Sequence, residues 1–72
     1  MAPEAILARN LKRLRARRGL SQEALADEAG VNRTYLGDLE NANHSTTLNK
    51  LAALAKALGV KPSDLIDDEF AP

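Results

Sequence analysis

The chain has 72 residues with ten basic and ten acidic side chains, and it contains no cysteine. This length allows one small domain, and the missing thiols exclude disulfides and thiolate metal sites as sources of stability. Because His44 is the only histidine, a histidine metal site is excluded as well, and we expect no metal and no cofactor.

The charges are unevenly distributed along the chain. Residues 1–63 carry all ten basic and six acidic side chains, whereas residues 64–72 carry four acidic ones. The net charge of zero is therefore the sum of a positive part, residues 1–63, and a negative part, residues 64–72. The positive part is compatible with a nucleic-acid partner. No apolar run is long enough to span a membrane, and charges appear too early for a secretory signal. We therefore expect a cytoplasmic protein with no membrane partner.

Helical periodicity begins near the N-terminus. Leu7, Leu11 and Leu14 recur at helical spacing within residues 4–18, and Gly19 suits a helix stop. The remaining positions of this segment are charged, so the sequence predicts an amphipathic first helix.

A second, short helix is predicted between Ser21, a good N-cap residue, and Gly30, which suits a helix end. Its apolar face consists of Leu25, Ala26 and Ala29. The connector that follows is the shortest between any two predicted helices.

A third helix is predicted over residues 33–41, with Asn32 as its N-cap and Leu36 and Leu39 as its apolar side. The polar residues that follow read as a loop.

Thr47 caps a fourth predicted helix that ends at Gly59, and Pro62 opens a last helical turn. No alternating strand pattern is present. The sequence therefore predicts an all-α fold of five short helices, with a domain over residues 1–66 and a frayed acidic C-terminal tail over residues 67–72.

The connector between the second and third predicted helices is the feature from which we predict the function. A small residue at Ala26 lets the two helices cross closely, Gly30 can take the left-handed conformation of a sharp turn, and Val31 fills the angle. Such a crossing projects the third helix as a ridge that fits the major groove of B-form DNA. Spacing alone leaves a plain helical hairpin as an equal alternative.

Three segments carry a family resemblance: LKRLRARRGLSQEALA (residues 11–26), AGVNRTYL (29–36) and LAKALGVKPSDL (54–65). Through them, nearly the whole chain resembles the Cro- and phage-repressor-like (Xre) helix-turn-helix domain, a lambda-repressor-like fold. The segment NRTYL (32–36) is further similar to the controller proteins of restriction-modification systems. The sequence departs from many members at Ala42, Asn43 and His44, where they place glycine and basic residues, and at Ser45 and Thr46, where Asn-Pro is frequent.

The resemblance implies a sequence-specific transcriptional regulator that binds double-stranded DNA. Base contacts are implied for Arg33 and Thr34 in the first turn of the third helix, and for Gly37 and Asp38 one turn further on. Arginine can form paired hydrogen bonds with guanine. Gly37 is equally well explained as a tolerated surface glycine, and Asp38 as part of a solvated face.

The residues implied to contact phosphate lie around the two helices of the motif: Gln22, Asn32, Tyr35, Asn43, His44, Ser45 and Arg15. Asn32 also serves as a cap, Tyr35 has core packing as a competing role, and a plain loop is the alternative for residues 43–45. Arg15 and Glu40 resemble a family ion pair, which contributes about 0–1 kcal/mol if it is exposed.

Leu65, Ile66 and Phe70 remain after the core is filled, and we expect them to form the interface of a homodimer on a palindromic operator. Packing onto the fourth helix is the alternative. A second functional class is an antitoxin or other protein-interaction module, which the acidic tail would serve. We expect no enzymatic activity, because the chain lacks a cysteine nucleophile, a phosphate-binding glycine loop and a convincing Ser/His/Asp set.

Overall fold

The computed structural model describes residues 1–70, and within them the chain forms helices and no strand. The helices are α1 (Pro3–Arg17), α2 (Gln22–Ala29), α3 (Arg33–Glu40), α4 (Leu48–Leu58) and α5 (Pro62–Leu65). The predicted all-α fold with five short helices is confirmed, and the predicted boundaries differ from these by about one residue.

The core is aliphatic and draws on every helix. Its fully buried leucines are Leu11, Leu25, Leu36, Leu39, Leu54 and Leu65. Each buried leucine of this kind contributes about 1.5–3 kcal/mol through the hydrophobic effect. Because α3 supplies two of them from a helix of only eight residues, this short helix is firmly held on its inner side.

Side-chain caps start three of the helices at the predicted residues. Ser21 Oγ accepts a hydrogen bond of 3.0 Å from the backbone N–H of Ala24 at the start of α2. Asn32 Oδ1 accepts one of 2.7 Å from the N–H of Thr34 at the start of α3. Thr47 caps α4 in the same way. Caps of this type stabilise a helix by about 1 kcal/mol each, and here they set where each helix begins.

The turn between α2 and α3 has the conformation that the sequence predicts. Gly30 ends α2 with a φ of 69°, in the left-handed region that favours glycine. The N–H of Val31 donates to the carbonyl of Ala26 over 3.0 Å, which closes the last turn of α2. Ala26 is buried, so the close crossing that its small side chain permits is present.

The C-terminal residues pack against α1. The side-chain amide of Asn10 is fully buried and donates to the carbonyls of Asp64, Leu65 and Asp67 over 3.0–3.1 Å. The Arg9 guanidinium forms a salt bridge of 3.1 Å with Asp68. Donors on α1 thus contact Asp67 and Asp68, and the fraying of residues 67–72 stays a prediction.

Two of the residues expected at a dimer interface belong to the chain's own core. Leu65 is completely buried, so its assignment to a dimer interface is corrected. Phe70 is half-buried and packs against the same core, in agreement with the alternative of intramolecular packing. Only Ile66 of this group remains exposed, and the last two residues of the predicted tail, 71–72, lie outside the described part of the chain.

Candidate nucleic-acid interface

The outer side of α3 carries polar residues at its N-terminal end. Arg33 and Thr34 are exposed there, while Asp38 is half-buried one turn further along. On the opposite side, Leu36 and Leu39 are 0% exposed and fix the helix to the core. Because residues four apart share one face of a helix, Thr34 and Asp38 lie on the same face of α3. The opposite face is fixed to the core.

Gly37 lies where α3 faces the start of α2. A Cβ atom at this position would lie 3.8 Å from Gln22 Oε1 and 3.9 Å from its Nε2, which is ordinary van der Waals contact. The free protein thus has room for alanine here. The structure consequently gives no packing reason for glycine at this position, and the two alternatives from the sequence remain.

A buried carboxylate joins three helices beneath this surface. Glu40 is 2% exposed and accepts hydrogen bonds from Arg15 Nε at 2.7 Å and Arg15 Nη2 at 2.9 Å. Gln22 Nε2 donates to the same carboxylate over 3.1 Å. The hydrogen bond from Arg15 to Glu40 raises the pKa of the Arg15 guanidinium above its ordinary value. The ion pair expected from the resemblance is present, and it is more buried than a surface pair.

This network fixes the position of the Arg15 side chain. Besides its two bonds to Glu40, its third nitrogen, Nη1, donates to the carbonyl of Leu20 over 3.0 Å. Every guanidinium nitrogen therefore already has an acceptor within the protein. Two of the five guanidinium N–H hydrogens nevertheless remain available to an external acceptor, as does one of the two amide hydrogens of Gln22.

Tyr35 links α3 to the loop and to α4. Its hydroxyl donates to Thr46 Oγ1 over 2.9 Å, and its ring meets the His44 ring edge-on with centroids 5.4 Å apart. The Lys50 ammonium lies 4.3 Å from the Tyr35 ring centroid. The sequence offered no signal for Thr46 or Lys50, since both contacts depend on how the loop returns toward α3.

The loop after α3 contains a backbone conformation that is costly for its residue. Ala42 has a φ of 59°, in the left-handed region. The N–H of the next residue, Asn43, donates to the carbonyl of Asp38 over 2.9 Å, as in the common glycine-dependent helix ending. A glycine at position 42 would adopt this conformation without the steric cost that alanine bears.

The three loop residues expected to bind phosphate are all exposed. They follow one another along the loop: Asn43, His44 and Ser45. The Ser45 hydroxyl lies 3.4 Å from Glu4 Oε2, so this end of the loop rests on the start of α1. The loop is therefore supported at one end by α1 and at the other by α3.

Ile66 is the exposed member of the expected dimer residues, with 49% of its surface accessible. It lines a shallow groove of about 150 Å³ together with Pro3, His44 and other residues near the start of α1. The apolar surface that Ile66 offers is thus next to the loop of the candidate interface.

The described residues also bear on two other functions, metal binding and the spanning of a membrane. No group of three or more histidine and acidic side chains in residues 1–70 is arranged to hold a metal ion. None of the helices in the same range is long and apolar enough to cross a membrane.

Together, the tight α2–α3 turn, the anchored third helix and its exposed N-terminal residues define a helix-turn-helix protein. The HTH_3 helix-turn-helix family matches residues 11–65, which is more than half of the chain. The chain therefore belongs to the HTH_3 helix-turn-helix family, in agreement with the resemblance to a helix-turn-helix domain.

Relatives of known name agree with the family. The control protein C.BamHI of Bacillus amyloliquefaciens is 44% identical over 48 residues, which cover 67% of this chain and 59% of that protein. The control protein C.SmaI of Serratia marcescens is 43% identical over 61 residues, covering 85% of this chain and 73% of that protein. The chain thus spans somewhat more than half of the first relative's length and about three quarters of the second.

A solved structure gives the same result for the fold. The restriction-modification controller protein C.AhdI from Aeromonas hydrophila superposes with a TM-score of 0.85 at 35% identity, covering 90% of this chain and 98% of that one. The predicted similarity to controller proteins of restriction-modification systems is confirmed.

Proposed function

We propose that this chain is a sequence-specific regulator of transcription that places α3 in the major groove of double-stranded DNA. The observation that carries the proposal is the asymmetry of α3. Leu36 and Leu39 are 0% exposed, whereas Arg33 and Thr34 at the N-terminal end of the same helix are exposed. A helix held in this way can present side chains to base edges without losing its own packing.

In this proposal Arg33 and Thr34 read bases. Arg33 can donate two hydrogen bonds to guanine O6 and N7, and Thr34 can contact a thymine methyl group. Asp38 accepts from cytosine or repels phosphate on incorrect sequences, and Gly37 leaves room for close approach of the DNA. These four residues are the proposed determinants of sequence preference.

A second group of residues binds the phosphate backbone and sets the orientation of α3. Gln22 has a free amide hydrogen, and Asn32 and Tyr35 lie at the start of α3. Asn43, His44 and Ser45 form the exposed loop on the other side. Phosphate contacts such as these strengthen binding to all sequences. Arg15 is held in place by Glu40 and keeps two guanidinium N–H hydrogens for a phosphate contact.

We further propose that the protein binds as a homodimer, since one short recognition helix reads few base pairs. Two copies would place their α3 helices about 34 Å apart, in successive major grooves of a palindromic operator. Ile66 supports this proposal because a large apolar side chain is 49% exposed beside the loop. Of the three residues first expected at the interface, it is the one that can meet a second copy without repacking the core.

The proposed role is that of a binding protein without enzymatic activity, acting in the compartment that holds the DNA. For bacteria, from which the named relatives come, this compartment is the cytoplasm. The alternative of an antitoxin or protein-interaction module receives no support from the comparisons, because the named relatives are control proteins.

The experiment that tests the proposal is selection of bound duplexes from a random pool, using the full chain. The proposal predicts enrichment of a palindrome whose half-sites are separated by about one helical turn. Recovery of one unpaired half-site would contradict the dimer alone. Failure to enrich any sequence would contradict sequence-specific binding.

A further inference from the structure

One basic side chain outside the residues discussed so far lies at the edge of the proposed interface. The Lys50 ammonium is 4.3 Å from the centroid of the Tyr35 ring, although Lys50 belongs to α4 and Tyr35 to α3. In the part of the chain that the structure describes, no acidic side chain forms a salt bridge with Lys50. The charge of this ammonium is therefore not neutralised by a neighbouring carboxylate.

The Tyr35 ring is itself held from two other directions. Its hydroxyl donates to Thr46 Oγ1 over 2.9 Å, and the His44 ring packs against it in a T-shaped arrangement. A cation over the face of such a fixed ring is attracted by the negative charge of the π-system. The exposed lysine side chain is consequently restricted to one region, which lowers the entropic cost of ordering it on an external anion.

The position of this ammonium relative to α3 indicates which anion it meets. Tyr35 lies in the first turn of α3, next to Thr34, and the loop residues His44 and Ser45 flank it. If the start of α3 enters the major groove, the surface beside it faces the groove wall, which is a line of phosphodiesters. An ammonium with three donors and no acidic partner suits a phosphate oxygen at this place.

We propose that Lys50 is a backbone phosphate contact and that the Tyr35 ring positions it. The inference rests on the proposed DNA binding and adds a contact that crosses from α3 to α4. Tyr35 then acts through its ring face as well as through its position on α3. The proposed phosphate site therefore has a charged component in addition to the neutral loop residues Asn43 and Ser45.

The test measures the salt dependence of binding to the selected operator duplex for the wild type and for Lys50→Met. Each lost phosphate contact should lower the slope of log affinity against log salt by about 0.9. Between 50 and 200 mM salt, the wild type should thus lose about threefold more affinity than the variant for each contact removed. Lys56→Met, an exposed lysine on the same helix on another side, is the matched control and should leave the slope unchanged.

The role of Tyr35 is tested by combining variants. In a Tyr35→Phe background, which keeps the ring and removes the hydroxyl, Lys50→Met should have its full effect. In a Tyr35→Leu background, which removes the ring, Lys50→Met should cause a smaller loss of affinity. Circular dichroism of each variant checks that its helices are intact.

The outcomes separate this inference from the proposed function. If Lys50→Met leaves the affinity and the salt slope at their wild-type values while Gln22→Ala weakens binding to all sequences, DNA binding stands and the assignment of Lys50 is overturned. Equal effects of Lys50→Met in the Phe and Leu backgrounds would overturn the positioning role of Tyr35. If the wild type binds no duplex, the proposed function itself fails.

Discussion

Gln22 and Glu40 are joined by a hydrogen bond of 3.1 Å between the amide nitrogen and the carboxylate, although 18 residues separate them in sequence. Gln22 is the first residue of α2, and Glu40 is the last residue of α3. The same carboxylate holds Arg15 of α1. The buried Glu40 carboxylate therefore fixes the C-terminal end of α3, the proposed recognition helix. It also fixes the side chain of Gln22, a proposed phosphate contact.

Replacing this carboxylate should destabilise the fold. We expect Glu40→Gln to lower the free energy of unfolding by about 1–3 kcal/mol, because charge-assisted hydrogen bonds to Arg15 are lost in a buried position. Thermal and urea unfolding measure this change. Arg9→Gln, which removes a more exposed salt bridge to Asp68, is the control and should cost about 0–1 kcal/mol.

The pKa of Arg15 determines the pH range of this effect. Because Glu40 raises the pKa of Arg15, the contribution of Arg15 to stability is fully present below the ordinary pKa of an arginine and is lost only as the pH rises through the higher value of the folded protein. The difference in unfolding free energy between wild type and Glu40→Gln should therefore stay constant from about pH 7 to pH 10. A difference that shrinks across this range would contradict the role assigned to the ion pair.

Gly37→Ala separates stability from DNA binding. The free protein accommodates the added Cβ at 3.8 Å from Gln22, so alanine should stabilise α3 by about 1 kcal/mol through its higher helix propensity. If glycine is needed for close approach of DNA, the same variant should bind the operator less tightly. Thermal unfolding without DNA and titration with the operator give the two quantities. A more stable variant with unchanged affinity would instead identify Gly37 as a tolerated surface residue.

Ala42→Gly should stabilise the protein. Ala42 has a φ of 59°, and an L-residue in the left-handed region costs about 1–2 kcal/mol, part of which the greater flexibility of unfolded glycine offsets. We expect a net gain of about 1 kcal/mol in unfolding free energy, measured by urea denaturation. The same substitution at Ala52, an exposed position inside α4, should destabilise by about 1 kcal/mol. Destabilisation by Ala42→Gly would show that the left-handed conformation is not strained.

Ile66→Glu should shift the protein from dimer to monomer without unfolding it. Ile66 is exposed, so a charge there is solvated in the monomer but costly in an apolar contact with a second copy. Sedimentation equilibrium measures the effect. Ala16→Glu introduces the same charge at an exposed position of α1 and should leave the association constant unchanged. Equal association constants for wild type and Ile66→Glu would exclude Ile66 from the interface.

Local signals explain which features could be predicted from the sequence. Ser21, Asn32 and Thr47 cap helices through contacts two or three residues away, so composition and spacing were enough to place them. Gly30 similarly carries its turn signal in a single residue.

Features that depend on distant segments were not predictable in the same way. Leu65 and Ile66 look alike in sequence, yet one is buried and the other exposed, because Asn10 of α1 fixes the orientation of the C-terminal segment. The Lys50–Tyr35 contact likewise depends on the path of the loop between α3 and α4. Contacts of this kind require three-dimensional positions, which periodicity does not encode.

The most direct measurement compares the sequence preferences of Arg33→Ala and Gln22→Ala with those of the wild type, by selection from the same random pool. Arg33→Ala should relax the preference at one base pair in each half-site, at a cost of about 1–3 kcal/mol on the preferred sequence. Gln22→Ala should weaken binding to all sequences alike and leave the preferences unchanged. Uniform weakening by both variants, with no base pair relaxed by Arg33→Ala, would contradict a direct reading of bases by α3.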